Sequence, residues 1–154
     1  SERRTGHTET SSDVNDKVRQ IHAHKMLAVV CVGEALDDRE AGREEEIVQK
    51  QLQESLPSRV NARNTVIAYE PVWAIGTGKT PSNGEIRMMH GHIRGYLEEK
   101  LADAQNLRIL YGGSVKPNNA RDILKINEVN GALIGGASLE ASSFLGIARA
   151  LIDD

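Results

Sequence analysis

The sequence predicts an α/β protein built on a parallel sheet, and three observations lead there. Short β-branched runs alternate with longer segments in which apolar residues recur at helical spacing. The short runs are almost wholly apolar, as expected of strands covered by helices on both faces. Glycine or proline clusters follow three of the four runs, where the ligand-binding loops of such sheets begin.

The four runs are Leu27 to Val32, Thr65 to Glu70, Leu107 to Tyr111 and Gly131 to Ile134. Five helical patterns surround them: Asp13 to His24, Glu40 to Leu56, Ser82 to Ala104, Asn119 to Lys125 and Phe144 to Ile152. No linker or shift of composition interrupts the alternation, so residues 1–154 read as one domain. The acidic run Glu44 to Glu46, with Arg39, Arg43 and Lys50 nearby, reads as an exposed helix face of mixed charge.

Composition narrows the function. At 39% hydrophobic and 27% charged residues the chain is of ordinary globular type. A single cysteine, Cys31, excludes a disulfide framework and a multi-cysteine metal site. Its place inside an apolar strand predicts a buried, inert thiol. The longest apolar stretch, Met26 to Val32, falls far short of the roughly 20 residues of a membrane helix. Ser1 to Ser12 is polar and does not read as a secretory leader. With 19 basic against 22 acidic residues and only five aromatics, a nucleic-acid surface is not expected. An anionic ligand must then be held by local devices. His22 and His24, like His90 and His92, lie two apart on predicted helices and face different ways, so no metal site is expected. Met88 and Met89 read as helix packing.

The chemistry gathers in Tyr69-Glu70-Pro71-Val72-Trp73-Ala74-Ile75-Gly76-Thr77-Gly78-Lys79-Thr80. Glu70 ends an apolar strand and Pro71 cannot continue the ladder, so the carboxylate should project at the sheet's C-terminal edge. In a partly apolar pocket its pKa would rise toward that of a general base; in water or in an ion pair it would be a strand-end acid only. Gly76-Thr77-Gly78 is a permissive stretch between Pro71-Val72-Trp73 and Lys79-Thr80-Pro81, built either as a closing lid with Trp73 as its handle or as a structural loop. Two glycine pairs, in Tyr111-Gly112-Gly113-Ser114 and Ile134-Gly135-Gly136-Ala137, each follow a strand and precede a helix. They make either tight turns or backbone cradles for a phosphate. Two pairs in consecutive βα units favour the cradle.

These segments resemble triosephosphate isomerase. Glu70 to Thr80 is similar to that family's catalytic strand and lid. Ser1-Glu2-Arg3-Arg4, Cys31-Val32-Gly33-Glu34, Tyr111 to Val115 and Gly131 to Leu139 resemble its other segments in the same order, so that the resemblance runs from Ser1 to about Ile152. It implies the C-terminal part of a (β/α)8 barrel, with four parallel strands and about five helices, in a cytoplasmic homodimer of glycolysis and gluconeogenesis. The reaction implied is interconversion of dihydroxyacetone phosphate and glyceraldehyde 3-phosphate through an enediolate, without metal or organic cofactor.

Carried over by position, Glu70 is the implied base. Gly76, Ser114, Gly135 and Gly136 supply phosphate-binding amides, and Ile75 and Leu133 clamp over the carboxylate. Tyr69 and Glu34 latch the open lid through Trp73, Tyr111 and Ser114 receive the closed one, and Glu2 buttresses the site. One departure stands out. The family's electrophilic histidine would fall just before Ser1, and its substrate-contacting Asn and Lys earlier still. A complete barrel takes about 250 residues, so roughly the first two fifths have no counterpart here. The expectations are a nearly inactive isolated chain and exposed sheet edges that favour association or instability. Two other readings remain: a phosphate-binding barrel of different chemistry, and a non-catalytic half-barrel that binds phosphates.

Overall fold

The apolar runs pair as β1 (Ala28–Val32), β2 (Thr65–Tyr69) and β3 (Ile109–Tyr111), a parallel sheet in that spatial order. The computed structural model describes residues 2–75 and 79–152. The register sets Val32 beside Tyr69 and Tyr69 beside Tyr111, so the three strands end level with one another. Hydrogen bonds continue past the ladder from Glu70 N to Val32 O at 2.7 Å and from Gly112 N to Tyr69 O at 2.8 Å. These bonds bring the three strand-end loops to one rim.

Among the described residues there are seven α-helices: α1 (Glu2–Gly6), α2 (Ser11–Ala23), α3 (Leu36–Glu40), α4 (Glu44–Ser55), α5 (Asn83–Lys100), α6 (Ala120–Leu124) and α7 (Ala141–Arg149). The starts of α2 and α5 follow from sequence. Thr10 with Asp13, and Ser82 with Glu85, form capping boxes that satisfy otherwise orphaned N–H groups. No helix among these residues is long and apolar enough to cross a membrane.

The expected pattern of four strands and five helices is corrected in several places. The fourth run, Gly131 to Ile134, makes one parallel bridge, Tyr111 to Ala132, held by Tyr111 N to Gly131 O at 3.0 Å and Leu133 N to Tyr111 O at 2.9 Å. It is no strand here because Gly131 sits at φ +151° and the run has a ladder partner on one side only among the described residues. The helix expected over Glu40 to Leu56 is α4 and begins only at Glu44; the unexpected α3 precedes it, and Gly42, at φ +67°, separates the two in a left-handed turn. The short α1 escaped the periodicity because five residues present no repeat. The long helix after Ser82 stops at Lys100, and a separate 3-10 turn covers Ala104–Asn106.

Helices also cover one face of the sheet rather than both. The strand members of the core are Ala28, Val30, Val32, Ile67, Tyr69, Ile109 and Tyr111, packed with Val18 of α2, Val48 and Leu52 of α4 and Ile86, Ile93 and Leu97 of α5. The alternate residue Val29 of β1 is 45% exposed.

A polar network ties α5 to the end of the chain. Buried Arg94 donates from Nε to Glu128 Oε2 at 2.6 Å, from Nη1 to the Leu107 carbonyl at 2.9 Å and to that of Ala104, and from Nη2 to Asn130 Oδ1 at 3.0 Å. Asn130 Oδ1 also accepts from Ile109 N at 2.8 Å. His90 donates from Nδ1 to the Glu128 carbonyl at 3.0 Å and stacks edge-on against Tyr69 at 5.8 Å. Glu128, at φ +66°, is thus held at its backbone and its carboxylate in a conformation costly for a non-glycine residue.

Two expectations follow from this network. Arg94→Met leaves the Ala104 and Leu107 carbonyls and Glu128 short of their donors and is expected to cost about 3 kcal/mol or more, read from urea unfolding. Burial pushes the His90 imidazole down to about 4 from an ordinary 6.5. Between those values the unfolded chain binds a proton that the folded chain refuses, so stability is full above pH 6.5 and is lost as pH falls toward 4. His90→Gln should flatten the fall of the urea midpoint over that window.

Candidate active site

Glu70 stands one residue beyond β2, and its main chain is pinned on both sides. Its N–H donates to β1, as above, and its carbonyl presses on Gly33 so closely that a Cβ there would overlap the oxygen. The side chain turns toward the neighbouring glycine loop: a Cβ on Gly112 would lie 2.6 Å from Glu70 Cγ and 3.3 Å from Oε1. Both glycines are therefore required by close approach, not by turn geometry. The carboxyl group thus lies against the first glycine pair.

That pair and the second one face a common cleft of about 270 Å³, lined by Ile75, Gly112, Ser114, Lys116, Gly135 and Gly136. The backbone N–H groups of Ser114, Gly135 and Gly136 have no acceptor among the described residues, and a Cβ on either late glycine would meet open space. Three open amides and a lysine thus line the cleft, an arrangement able to accept an anion. A larger groove of about 650 Å³, lined by Arg19, His22, Arg59 and Asn64, opens near the N-terminal end of β2. It carries neither glycine pair, whereas the smaller cleft holds both and adjoins the Glu70 side chain at Gly112.

Behind Glu70 lies a buried acid. Glu34 is fully buried, and its Oε1 accepts from Trp73 Nε1 at 2.8 Å, from Tyr69 Oη at 3.1 Å and from Arg39 Nη1 at 3.4 Å. Its main chain is tied as well, with Val72 N donating to Glu34 O at 3.1 Å. Burial, and then the Glu34 charge, raise the Tyr69 phenol well above its ordinary value. The Tyr111 phenol is raised for the same reasons in the same order. The Tyr111 hydroxyl lies under Gly113 and has no partner among the described residues.

The remaining expected residues fall as follows. Pro71 and Ala74 are buried, Val72 and Trp73 half-buried, and Val72–Ala74 form a 3-10 turn. Ile75 reaches the cleft, Leu133 is 37% exposed, and Lys79 and Thr80 are exposed. Gly76, Thr77 and Gly78 lie outside the described residues. Glu2 is exposed on α1 and its side chain meets no partner among the described residues. Three contributors were not foreseen in the sequence. Lys116 was hidden in a polar stretch after Ser114. Gly112 had been read as part of a cradle rather than as the seat of Glu70. Cys31 is half-buried rather than buried, and its thiol is pushed up to about 11 by burial and then by the neighbouring Glu70 charge, so it belongs to the surroundings of the carboxylate.

A parallel sheet with helices on its outer face, and an acid and open amides gathered at the strand C-termini, defines a segment of a (β/α) barrel. The triosephosphate isomerase family model matches residues 1–151. Triosephosphate isomerases of Rhizobium etli and Rhizobium meliloti are 50% and 51% identical over 151 residues, 97% of this chain and 59% of each relative. The crystal structure of triosephosphate isomerase from Bartonella henselae superposes with a TM-score of 0.92 at 38% identity, over 99% of this chain and 62% of that one. The chain belongs to the triosephosphate isomerase family. It spans about three fifths of the length of the relatives it matches.

The two close approaches are separable by substitution. Gly33→Ala drives a Cβ into a backbone carbonyl and should cost about 3 kcal/mol or more. Gly112→Ala meets mainly a side chain that can swing aside, so a loss nearer 1 kcal/mol is expected, with Glu70 displaced. Parallel urea melts of the two variants check the order.

Proposed function

We propose that this chain carries the base and the phosphate cradle of a triosephosphate isomerase, with a triose phosphate as substrate. The observation that supports this reading is the Glu70 carboxyl seated on Gly112, beside a cleft lined by the unpartnered amides of Ser114, Gly135 and Gly136. A phosphate dianion held by those amides leaves the three-carbon body of the substrate reaching toward Glu70. Glu70 then takes a proton from C1 of dihydroxyacetone phosphate, the C1–H pair becomes the C1=C2 double bond and the C2 carbonyl π pair moves onto O2; the hydroxyl proton passes from O1 to O2, the carbonyl re-forms at C1, and Glu70 returns its proton to C2. No electron leaves the pair, so the step needs no redox partner.

In this reading Ile75, at the cleft, and Leu133 close over the carboxylate when substrate is bound. In this reading Glu34 and Tyr69 hold Trp73, Tyr111 offers its free hydroxyl to the segment after Ile75, and Gly76 adds an amide to the cradle. Glu2 supports the site only if a preceding segment folds over α1. The oxyanion of the enediolate needs donors that this chain does not provide, and the family resemblance puts them, with the dimer contact, in a segment upstream of Ser1. The whole protein is read as a homodimeric glycolytic enzyme, and the 154-residue chain as nearly inactive by itself.

A coupled isomerase assay tests this on the 154-residue chain beside a chain extended upstream to barrel length. Turnover is expected from the extended chain, at least about a thousandfold above the short one. Glu70→Asp in the extended chain should lower kcat by about a hundredfold with little change in KM, because it retracts the carboxylate without touching the cradle. Equal turnover by Glu70→Asp and the parent removes Glu70 as base. An extended chain that binds phosphate but never turns over supports a binding module instead.

A further inference from the structure

Arg39 has no place in the roles assigned so far, yet it touches every part of the Glu34 assembly. Its Nη2 donates to Glu85 Oε1 at 2.6 Å, its Nη1 reaches Glu34 Oε1 at 3.4 Å, and its guanidinium carbon lies 5.2 Å from the centroid of the Trp73 ring. The side chain is only 13% exposed and Glu34 is not exposed at all. This is no surface ion pair, whose net value would be small. Glu34 carries a charge out of water, and Arg39 is the cation the structure brings to it.

The far end of the bridge is equally fixed. Glu85 Oε2 accepts from Ser82 N at 2.6 Å and from Ser82 Oγ at 2.8 Å, which closes the capping box at the start of α5. Arg39 therefore links α3, the loop after β1, the 3-10 turn carrying Trp73 and the first turn of α5. Its planar fork reaches two carboxylates while its face lies over an indole; a lysine ammonium can do the first only singly and the second poorly. The Arg39 hydrogen bond, then the Ser82 backbone, holds the Glu85 carboxyl down to about 2, in keeping with a tight contact.

We propose that Arg39 is a positioning residue that clamps Trp73 between its guanidinium and the Glu34 carboxylate, and so fixes the course of the chain from Glu70 through Ile75. Trp73 Nε1 and Arg39 Nη1 share one acceptor oxygen, Glu34 Oε1, while Glu34 Oε2 has no partner among the described residues. Removing the arginine leaves a buried carboxylate with neutral donors alone and takes away one wall of the indole's slot. The 3-10 turn is short, and its ties to the Glu34 loop are the Trp73 indole N–H on Oε1 at 2.8 Å and Val72 N on the Glu34 carbonyl at 3.1 Å. Freed of the clamp, the indole gains water contact and the turn loosens. The proposal uses the isomerase reading only to say why the course of the chain beyond Glu70 matters; the clamp itself rests on contacts.

Trp73 is the sole tryptophan, so its fluorescence reports the clamp directly on the purified chain and requires no turnover. Arg39→Met is expected to move the emission to longer wavelength and to raise acrylamide quenching about twofold, with far-UV circular dichroism unchanged. Arg39→Lys should fall between Met and the parent, since it restores charge without the stacked fork. Glu85→Gln, which leaves Arg39 in place but unties it from α5, should shift the signal in the same direction by less. The exposed pair Arg43 with Asp38 supplies the control, and Arg43→Met should leave the emission where it was. A folded Arg39→Met chain with the parent's emission and quenching overturns the proposal. If that variant does not fold, Arg39→Lys and Glu85→Gln decide it, and parent-like spectra from both overturn it equally.

Discussion

The level ending of three parallel strands is the constraint on which the rest of this molecule depends. Register places Val32, Tyr69 and Tyr111 side by side, and the next hydrogen bonds, from Glu70 to β1 and from Gly112 to β2, extend that alignment into the loops. Glu34, Glu70 and Gly112 are each one or two residues past a strand end. Side chains separated by dozens of residues in sequence therefore meet on one rim. A slip of one residue in either pairing would turn Glu70 to the helix-covered face and dissolve the site.

Packing on the two faces of the sheet is unequal, and this governs what each face can do. The helix-covered face holds Tyr69, His90 and Tyr111 in mutual ring contact, with Arg94 and Glu128 sealing the lower end. Charge there is tolerated only where every donor has an acceptor, as around Arg94, or where the group is kept neutral, as at His90. The opposite face is exposed at Val29, while Val66 and Ala68 of the central strand are buried there too. In the proposed scheme the chemistry sits at the rim, where the Glu70 side chain lies against Gly112.

Two acids past strand ends, a half-buried one that is reactive in the proposed scheme and a buried structural one, illustrate how environment divides labour between like groups. Glu34 is surrounded by three donors and has become an anchor. Glu70 rests against a glycine because any side chain at residue 112 would displace it. The contrast comes from neighbours: a tyrosine, a tryptophan and an arginine in one case, a backbone without a Cβ in the other.

The sequence by itself determined a great deal. Apolar runs located three strands within two residues, and the segment after Tyr69 together with the two glycine pairs named most residues of the cleft. These are local properties, and local sequence carries them. Tertiary structure alone decided the rest. The run at Gly131 lacks a second neighbour and shrinks to a bridge, because a strand exists only by pairing. Gly42 keeps α3 and α4 apart and delays the expected helix to Glu44, since a left-handed residue breaks the ladder whatever periodicity surrounds it. Arg39, Lys116 and Cys31 acquire roles through contacts across the fold, and no spacing along the chain encodes a distance in space.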